Sequence, residues 1–274
     1  MNISINLKIT YFMKIHFITF GDTSIPSNSL TSQRRESAVR LCNQVYETRW
    51  VNSTKFYNLD LIKIEHPCWF YKHFNFIRQN HRGCGYWIWK SFIIFEYLKK
   101  INEGDILIYA DAGHEISKFA SNRFDEYIAL TEKHSLLAFE INETIEKWTK
   151  PELLEYFDLF NNHNILNNKQ IQAGLIFIKK SIKSLFLINI WQNLSIIDNY
   201  ILINDVNSNK IFNLPNYVEH RHDQSIFTLI LRSNDFGLIL PDEAYTPLLF
   251  NQGQYNINIP FQCLRNPTGV RMIN

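Results

Sequence analysis

Four short stretches of this 274-residue chain gather residue types that bind charged or polyhydroxylated ligands. The first is Gly104-Asp105-Ile106-Leu107-Ile108-Tyr109-Ala110-Asp111-Ala112-Gly113-His114-Glu115. A carboxylate that closes a buried apolar run is positioned for a metal-bound phosphate or a ribose hydroxyl. Asp and Gly also make ordinary turns, so a plain Asx turn is the competing reading. In the second stretch, Gln172-Ala173-Gly174, bulk is avoided within an apolar run. The third is Glu219-His220-Arg221-His222-Asp223-Gln224-Ser225. With Asp111, its two histidines suit Mn²⁺ or a similar ion; alone they read as a surface pair. The fourth, Arg82-Gly83-Cys84-Gly85-Tyr86-Trp87-Ile88-Trp89-Lys90, opens a helix with two glycines ahead of it. Close backbone approach and free helix N–H groups suit an anion there, with Lys90 on a phosphate and a Trp stacked on a base or sugar. A packed helix start explains the same residues.

The elements that must carry these stretches alternate between strand and helix. Ile15–Phe20 reads as a first strand. A helix follows over residues 30–47, burying Ala38, Leu41, Cys42 and Val45 and leaving Arg34, Arg35 and Arg40 on other faces. Residues 50–80 read as a short strand or turn followed by a helix. Ile106–Ala110 is a buried strand, and residues 170–178 form a second strong apolar strand. Helices are expected over 124–130, 151–160 and 181–194 and from Glu219 onward, with strands at 135–139 and 236–240. The tail through Pro260-Phe261-Gln262-Cys263-Leu264-Arg265 is expected to be irregular and laid across the surface. This alternation predicts an α/β domain with a mostly parallel central sheet.

Composition narrows the function classes. A net charge of +2 gives no reason to expect a nucleic-acid partner. Cys42, Cys68, Cys84 and Cys263 are too scattered for a zinc site or a disulfide framework, which favours a reducing compartment. No signal peptide or membrane span is evident, so a cytoplasmic protein is expected. Met13 serves as a natural start, with residues 1–12 an extension and 13–274 the domain. No G-x-G-x-x-G follows the first strand, which argues against a dinucleotide oxidoreductase.

Taken together, the motifs resemble those of the GT-A class of nucleotide-sugar-dependent glycosyltransferases. More closely, they resemble a little-characterised family assigned to that class, with G-Y-W-x-W-K, Y-x-D-A-G, Q-x-x-A-G and H-D-Q motifs. Here these are Gly85-Tyr86-Trp87-Ile88-Trp89-Lys90, Tyr109-Ala110-Asp111-Ala112-Gly113, Gln170-Ile171-Gln172-Ala173-Gly174 and His222-Asp223-Gln224. The resemblance runs from Lys14 to Arg265. It implies a single Rossmann-like GT-A domain, its mostly parallel central sheet flanked by helices. Such a domain binds a nucleotide-diphosphate sugar, UDP- or GDP-linked by default, and transfers the sugar to a hydroxyl of a glycan, protein or small molecule.

On that resemblance Asp111 contacts metal or ribose, with Tyr109, Ala112 and Gly113 completing the donor turn. Asp223 and Gln224 face the sugar and reaction centre, and Asp223 is the best carboxylate for a base. His222 joins Asp111 as a metal-ligand candidate. Arg34, Arg35, Lys90 and Arg265 are diphosphate candidates, while Trp87, Trp89, Gln172 and Gly174 are substrate-side. The D-x-D motif is matched only at its first position: Gly113 stands where a second carboxylate grips Mn²⁺ or Mg²⁺. Glu115, His114 or the His220/His222 pair compensates, or Lys90 and an arginine neutralise the diphosphate instead. A non-catalytic module of the same fold and a metal-dependent phosphate-ester hydrolase are the other readings.

Overall fold

The computed structural model describes residues 12–22, 31–206, 214–244 and 256–263. In chain order, β1 (Ile15–Phe20), α1 (Thr31–Thr48) and β2 (Ser53–Tyr57) come first. Next are α2 (Leu59–Glu65), α3 (Pro67–Gln79), a distorted turn α4 (Gly83–Tyr86), α5 (Ile88–Lys100) and β3 (Ile106–Ala110). β4 (His114–Ile116), α6 (Ser121–His134) and β5 (Leu136–Thr144) lead into the short helices α7 (Ile145–Trp148), α8 (Pro151–Tyr156) and α9 (His163–Leu166). The chain continues through β6 (Lys169–Ile171), β7 (Leu175–Lys179), α10 (Ile182–Ile196), α11 (His222–Asn234), β8 (Leu238–Leu240) and β9 (Phe261–Cys263).

The main sheet has the order β2-β1-β3-β7-β5-β6, with β8 also paired to β5. β1, β2, β3, β5 and β8 point one way; β7 and β6 run against them. The sheet is thus mostly parallel in direction and flanked by helices, a Rossmann-like α/β arrangement. β3 lies inside it and all five of its residues are buried, as an unbroken apolar run requires. Ile106, Ile108 and Ala110 face one core with Leu41 and Val45 of α1 and Phe124 of α6. Leu107 and Tyr109 face the other, with Ile93 of α5, Leu187 of α10 and Phe227 of α11. The side-chain period of 2 along a strand splits them this way.

Two expectations need correction. The single strand expected over 170–178 is two, β6 and β7, because the chain turns aside between them. There the Gln172 N–H donates to Phe139 O (2.9 Å), and Gly174 O accepts the Asp111 N–H (2.8 Å). The tail is not wholly irregular: β9 pairs antiparallel with β4, placing Cys263 opposite His114. Phe261 is fully buried, stacked near Phe17 and edge-on to Phe177. Phe261→Ala is therefore expected to cost about 3–5 kcal/mol in urea unfolding, whereas a surface-laid tail would lose almost nothing. The four cysteines form no disulfide. Among the described residues, no helix is long and apolar enough to cross a membrane.

Candidate functional site

From β1 the chain passes to β2 on one side and then returns to β3 on the other. In α/β sheets the carboxyl ends of strands at such a reversal of order are where ligands are taken. Asp111 follows β3 directly at this point. Its side chain is 42% exposed, while the groups that fix it are buried.

Lys90 reaches Asp111 from α5. Ahead of that helix, Cys84, Gly85, Tyr86 and Trp87 all have positive φ (54°, 85°, 52° and 62°). Backbone strain of this kind persists only where surrounding contacts enforce it. Here Gly85 N–H donates to Asn80 O and Tyr86 N–H to Arg82 O. The turn starts α5 with its Lys90 face inward. The Lys90 ammonium lies 2.8 Å from Asp223 Oδ2 and 3.3 Å from Asp111 Oδ1. Burial pulls its pKa down, but the two carboxylates outweigh this and hold it above the ordinary lysine range. The Tyr109 hydroxyl donates to Asp111 Oδ1 (2.5 Å), and burial together with that carboxylate keeps the phenol protonated.

Asp223 enters from the first turn of α11. His222 before it has φ 49°, and Trp191 Nε1–H holds the Asp223 carbonyl (3.0 Å). Burial pushes the Asp223 carboxyl up to about 6; Lys90 pulls against this, and Asp111 adds to it. Folding thus raises its pKa from an ordinary value of about 3.9. The stability gained is full below the lower value and lost as pH rises through the upper one. In Asp223→Asn this step is absent. The parent's stability relative to the variant is expected to fall by about 2 kcal/mol between pH 4 and 7, read by urea titration. A constant difference would mean that Asp223 ionises as in a free chain.

Beneath the Asp111 turn lies a network that the sequence reading missed. Arg40, expected on an outer face, is buried: its guanidinium pairs with Glu115 (2.8 Å) and donates to the carbonyls of Ala112 (3.0 Å) and His114 (2.8 Å). Gln44 Nε2–H donates to Glu115 Oε2 (2.6 Å). Glu115 is thereby engaged within the core instead of facing a ligand. Ser37, Arg40 and Gln44, all buried, recur at helical spacing beside the apolar stripe. That second stripe is the signal that could have found them.

His220 and His222 have rings 5.2 Å apart, and both are tied to one loop. His220 Nε2–H donates to Leu202 O (3.0 Å) and His222 Nδ1–H to Ile203 O (2.7 Å). Burial lowers both, His222 to about 4. His222 Nε2 faces Asp205 Oδ1 at 3.6 Å. Lys150, wholly buried, secures this loop by donating to the carbonyls of Ile201 (2.8 Å) and Val206 (2.6 Å).

The fold thus brings together Lys90, Tyr109, Asp111, Gly174 and Asp223 from four parts of the chain. Gln224 is half-buried and donates to Gln170 Oε1 (3.2 Å). Gln172 is buried, with its side-chain Nε2 unpartnered. Ala112 is buried and Gly113 half-buried in the Asp111–His114 turn, closed by the His114 N–H on Asp111 O (3.0 Å). Trp87 is half-buried beside the His222 ring. Trp89, expected as a sugar platform, instead stacks on Phe20 at 3.6 Å and donates to Gly83 O; its ring is core because α5 turns it inward. Arg35 is exposed on α1. The Arg34 side chain and Arg265 lie outside the described residues.

Fold and geometry define an α/β protein in which Asp111, Lys90 and Asp223 cluster beyond the end of β3. No family model matches the chain, and no curated protein matches its sequence. Among solved structures it is similar to the apo form of mouse xyloside xylosyltransferase 1, at 11% identity over 88% of this chain and 91% of that one, TM-score 0.44. A glycosyltransferase involved in glycosylation of the major capsid of PBCV-1 aligns over 76% of this chain and 81% of its own, at 12% identity and TM-score 0.36. The 4-diphosphocytidyl-2C-methyl-D-erythritol synthase of Anaerococcus prevotii DSM 20548 aligns over 84% and 88%, at 10% identity and TM-score 0.38. Likenesses this distant carry no functional argument, which rests on the site.

Proposed function

We propose that the protein is a glycosyltransferase that moves a sugar from a nucleotide-diphosphate sugar to an acceptor hydroxyl. The observation that carries this reading is the buried Lys90 ammonium bridging Asp111, beyond the end of β3, to Asp223 at the start of α11. The four motifs of the resemblance supply the class. Asp111 offers its exposed carboxylate to the donor, and Lys90 with Tyr109 holds that carboxylate in one orientation. Asp223 and Gln224 stand on the sugar side. A carboxyl raised to about 6 can exchange a proton near neutrality, which suits Asp223 to acid–base work on the acceptor hydroxyl. Trp87, half-buried beside His222, is the aromatic surface for an acceptor sugar. When bound, a divalent cation at Asp111 supplies positive charge to the departing diphosphate.

A thermal-shift screen of UDP, GDP and their sugar conjugates, each with EDTA or Mn²⁺, tests the reading. A ligand present at about 100 times its Kd stabilises the native state by about 2.7 kcal/mol, which registers as a rise in melting temperature. Stabilisation by one nucleotide family, with slow donor hydrolysis in the absence of acceptor, is the expected result. No shift with any nucleotide under either condition would sink the proposal. Binding without any turnover would reduce the protein to a module of the same fold.

A further inference from the structure

Helices α2 and α3 turn apolar side chains outward on a surface that the site does not use. The inner face of α3 is filled, with Phe70, His73 and Ile77 buried. On its outer face Pro67, Tyr71, Phe74 and Arg78, all exposed, recur at i, i+4, i+7 and i+11 and form one stripe. Tyr71 is 63% exposed, and Ile64 near the end of α2 is 76% exposed. The rings of Tyr71 and Phe74 both stand against Phe70, at 5.5 Å and 5.2 Å. The Lys63 ammonium lies 5.9 Å from the Phe70 ring and 5.9 Å from that of Tyr71, which joins α2 to the same patch. Charge on this surface has one prevailing sign. Residues 66–95 contain no Asp or Glu, and Lys72 and Arg78 of α3 are exposed. Among the described residues, Lys63, Lys72 and Arg78 have no carboxylate partner. α2 brings two acids, Asp60 in its first turn and Glu65, and Lys55 (2.6 Å) and Lys100 (3.5 Å) already hold Glu65.

We propose that this face of α2 and α3 docks the protein on an anionic lipid surface. Ile64, Tyr71 and Phe74 enter the boundary between headgroups and acyl chains, while Lys63, Lys72 and Arg78 meet lipid phosphates. Exposed aromatic and aliphatic tips flanked by cations are the composition of surfaces that bind membranes peripherally. Tyrosine suits that boundary because its ring is apolar and its tip polar. The lysine and arginine stems are long enough to keep their charge at the headgroups while their methylenes lie among the apolar tips. A second copy of the chain fits less well, since a two-fold contact would set this cationic face against itself. α3 has 13 residues, too few to span a bilayer, so the contact is with its surface. The inference concerns where the protein works and does not depend on the reaction proposed above.

Co-sedimentation of the full chain with vesicles of phosphatidylcholine, with and without about one-third phosphatidylglycerol, tests it. Each cation at an anionic surface contributes about fivefold in affinity, so the three should favour the mixed vesicles by roughly 100-fold. High salt should erase most of that preference. Lys63→Glu, Lys72→Glu and Arg78→Glu together should abolish it. Ile64→Ser, Tyr71→Ser and Phe74→Ser together should weaken binding to mixed vesicles at least about tenfold. The comparison of vesicles and salt is made on the parent protein, so it does not depend on a variant folding. Absence of binding to mixed vesicles, equal binding to both kinds, or folded variants that bind as the parent does would each overturn the inference. Self-association in sedimentation velocity that the serine variant abolishes, without vesicle binding, would give the face to a second copy instead.

Discussion

Lys90→Met is expected to lose about 3–5 kcal/mol of folding free energy at pH 8, because it leaves two carboxylates without their buried counter-charge. The Lys90 side chain is 4% exposed and that of Asp223 6%, so water cannot replace the ammonium there. The loss should shrink toward pH 5. Asp223 already titrates near 6 in the parent, and removal of the ammonium shifts it further toward the neutral form, which needs no counter-ion. Urea unfolding of parent and variant at both pH values measures this. A variant as stable as the parent at pH 8 would show that the ammonium is not the charge that holds the two acids together. Donor binding should fall as well, since Asp111 Oδ1 would keep only the Tyr109 hydroxyl.

Asp111→Ala separates function from stability. Its side chain is the exposed member of the cluster, and Lys90 keeps Asp223 as a partner when it is removed. Melting should therefore change little. Donor turnover should fall by roughly 10²–10³-fold, the scale of removing one preorganised polar group from a reaction centre. The nucleotide-induced rise in melting temperature should vanish with it. Full turnover in Asp111→Ala would move the donor site elsewhere on the molecule. Gly174→Ala is the companion measurement. Its new Cβ would sit 3.0 Å from Asp111 Oδ2, so it should weaken donor or cation binding while leaving folding nearly intact.

Much of this was legible in the chain itself. The apolar run Ile106–Ala110 determines a strand buried on both faces, because five apolar residues in succession leave no side for water. The expected helix at 30–47 and the strands at 15–20 and 106–110 agree with α1, β1 and β3 within a residue or so, since local periodicity and turn residues act over a few positions. The polar motifs were also visible as candidates, because charged and amide residues at element ends stand out against apolar surroundings. What periodicity could not convey was which of them meet. Lys90, Asp111 and Asp223 are separated by long stretches of chain, and only the packing of α5 and α11 on the sheet brings their charges within 3.3 Å. Arg40 reads as one more surface arginine until Glu115 is seen opposite it. Trp89 reads as a stacking platform until α5 turns it onto Phe20. Residues 170–178 read as one strand until the Asp111 N–H draws Gly174 out of line. In each case the deciding partner is distant in sequence, and a local pattern carries no information about it.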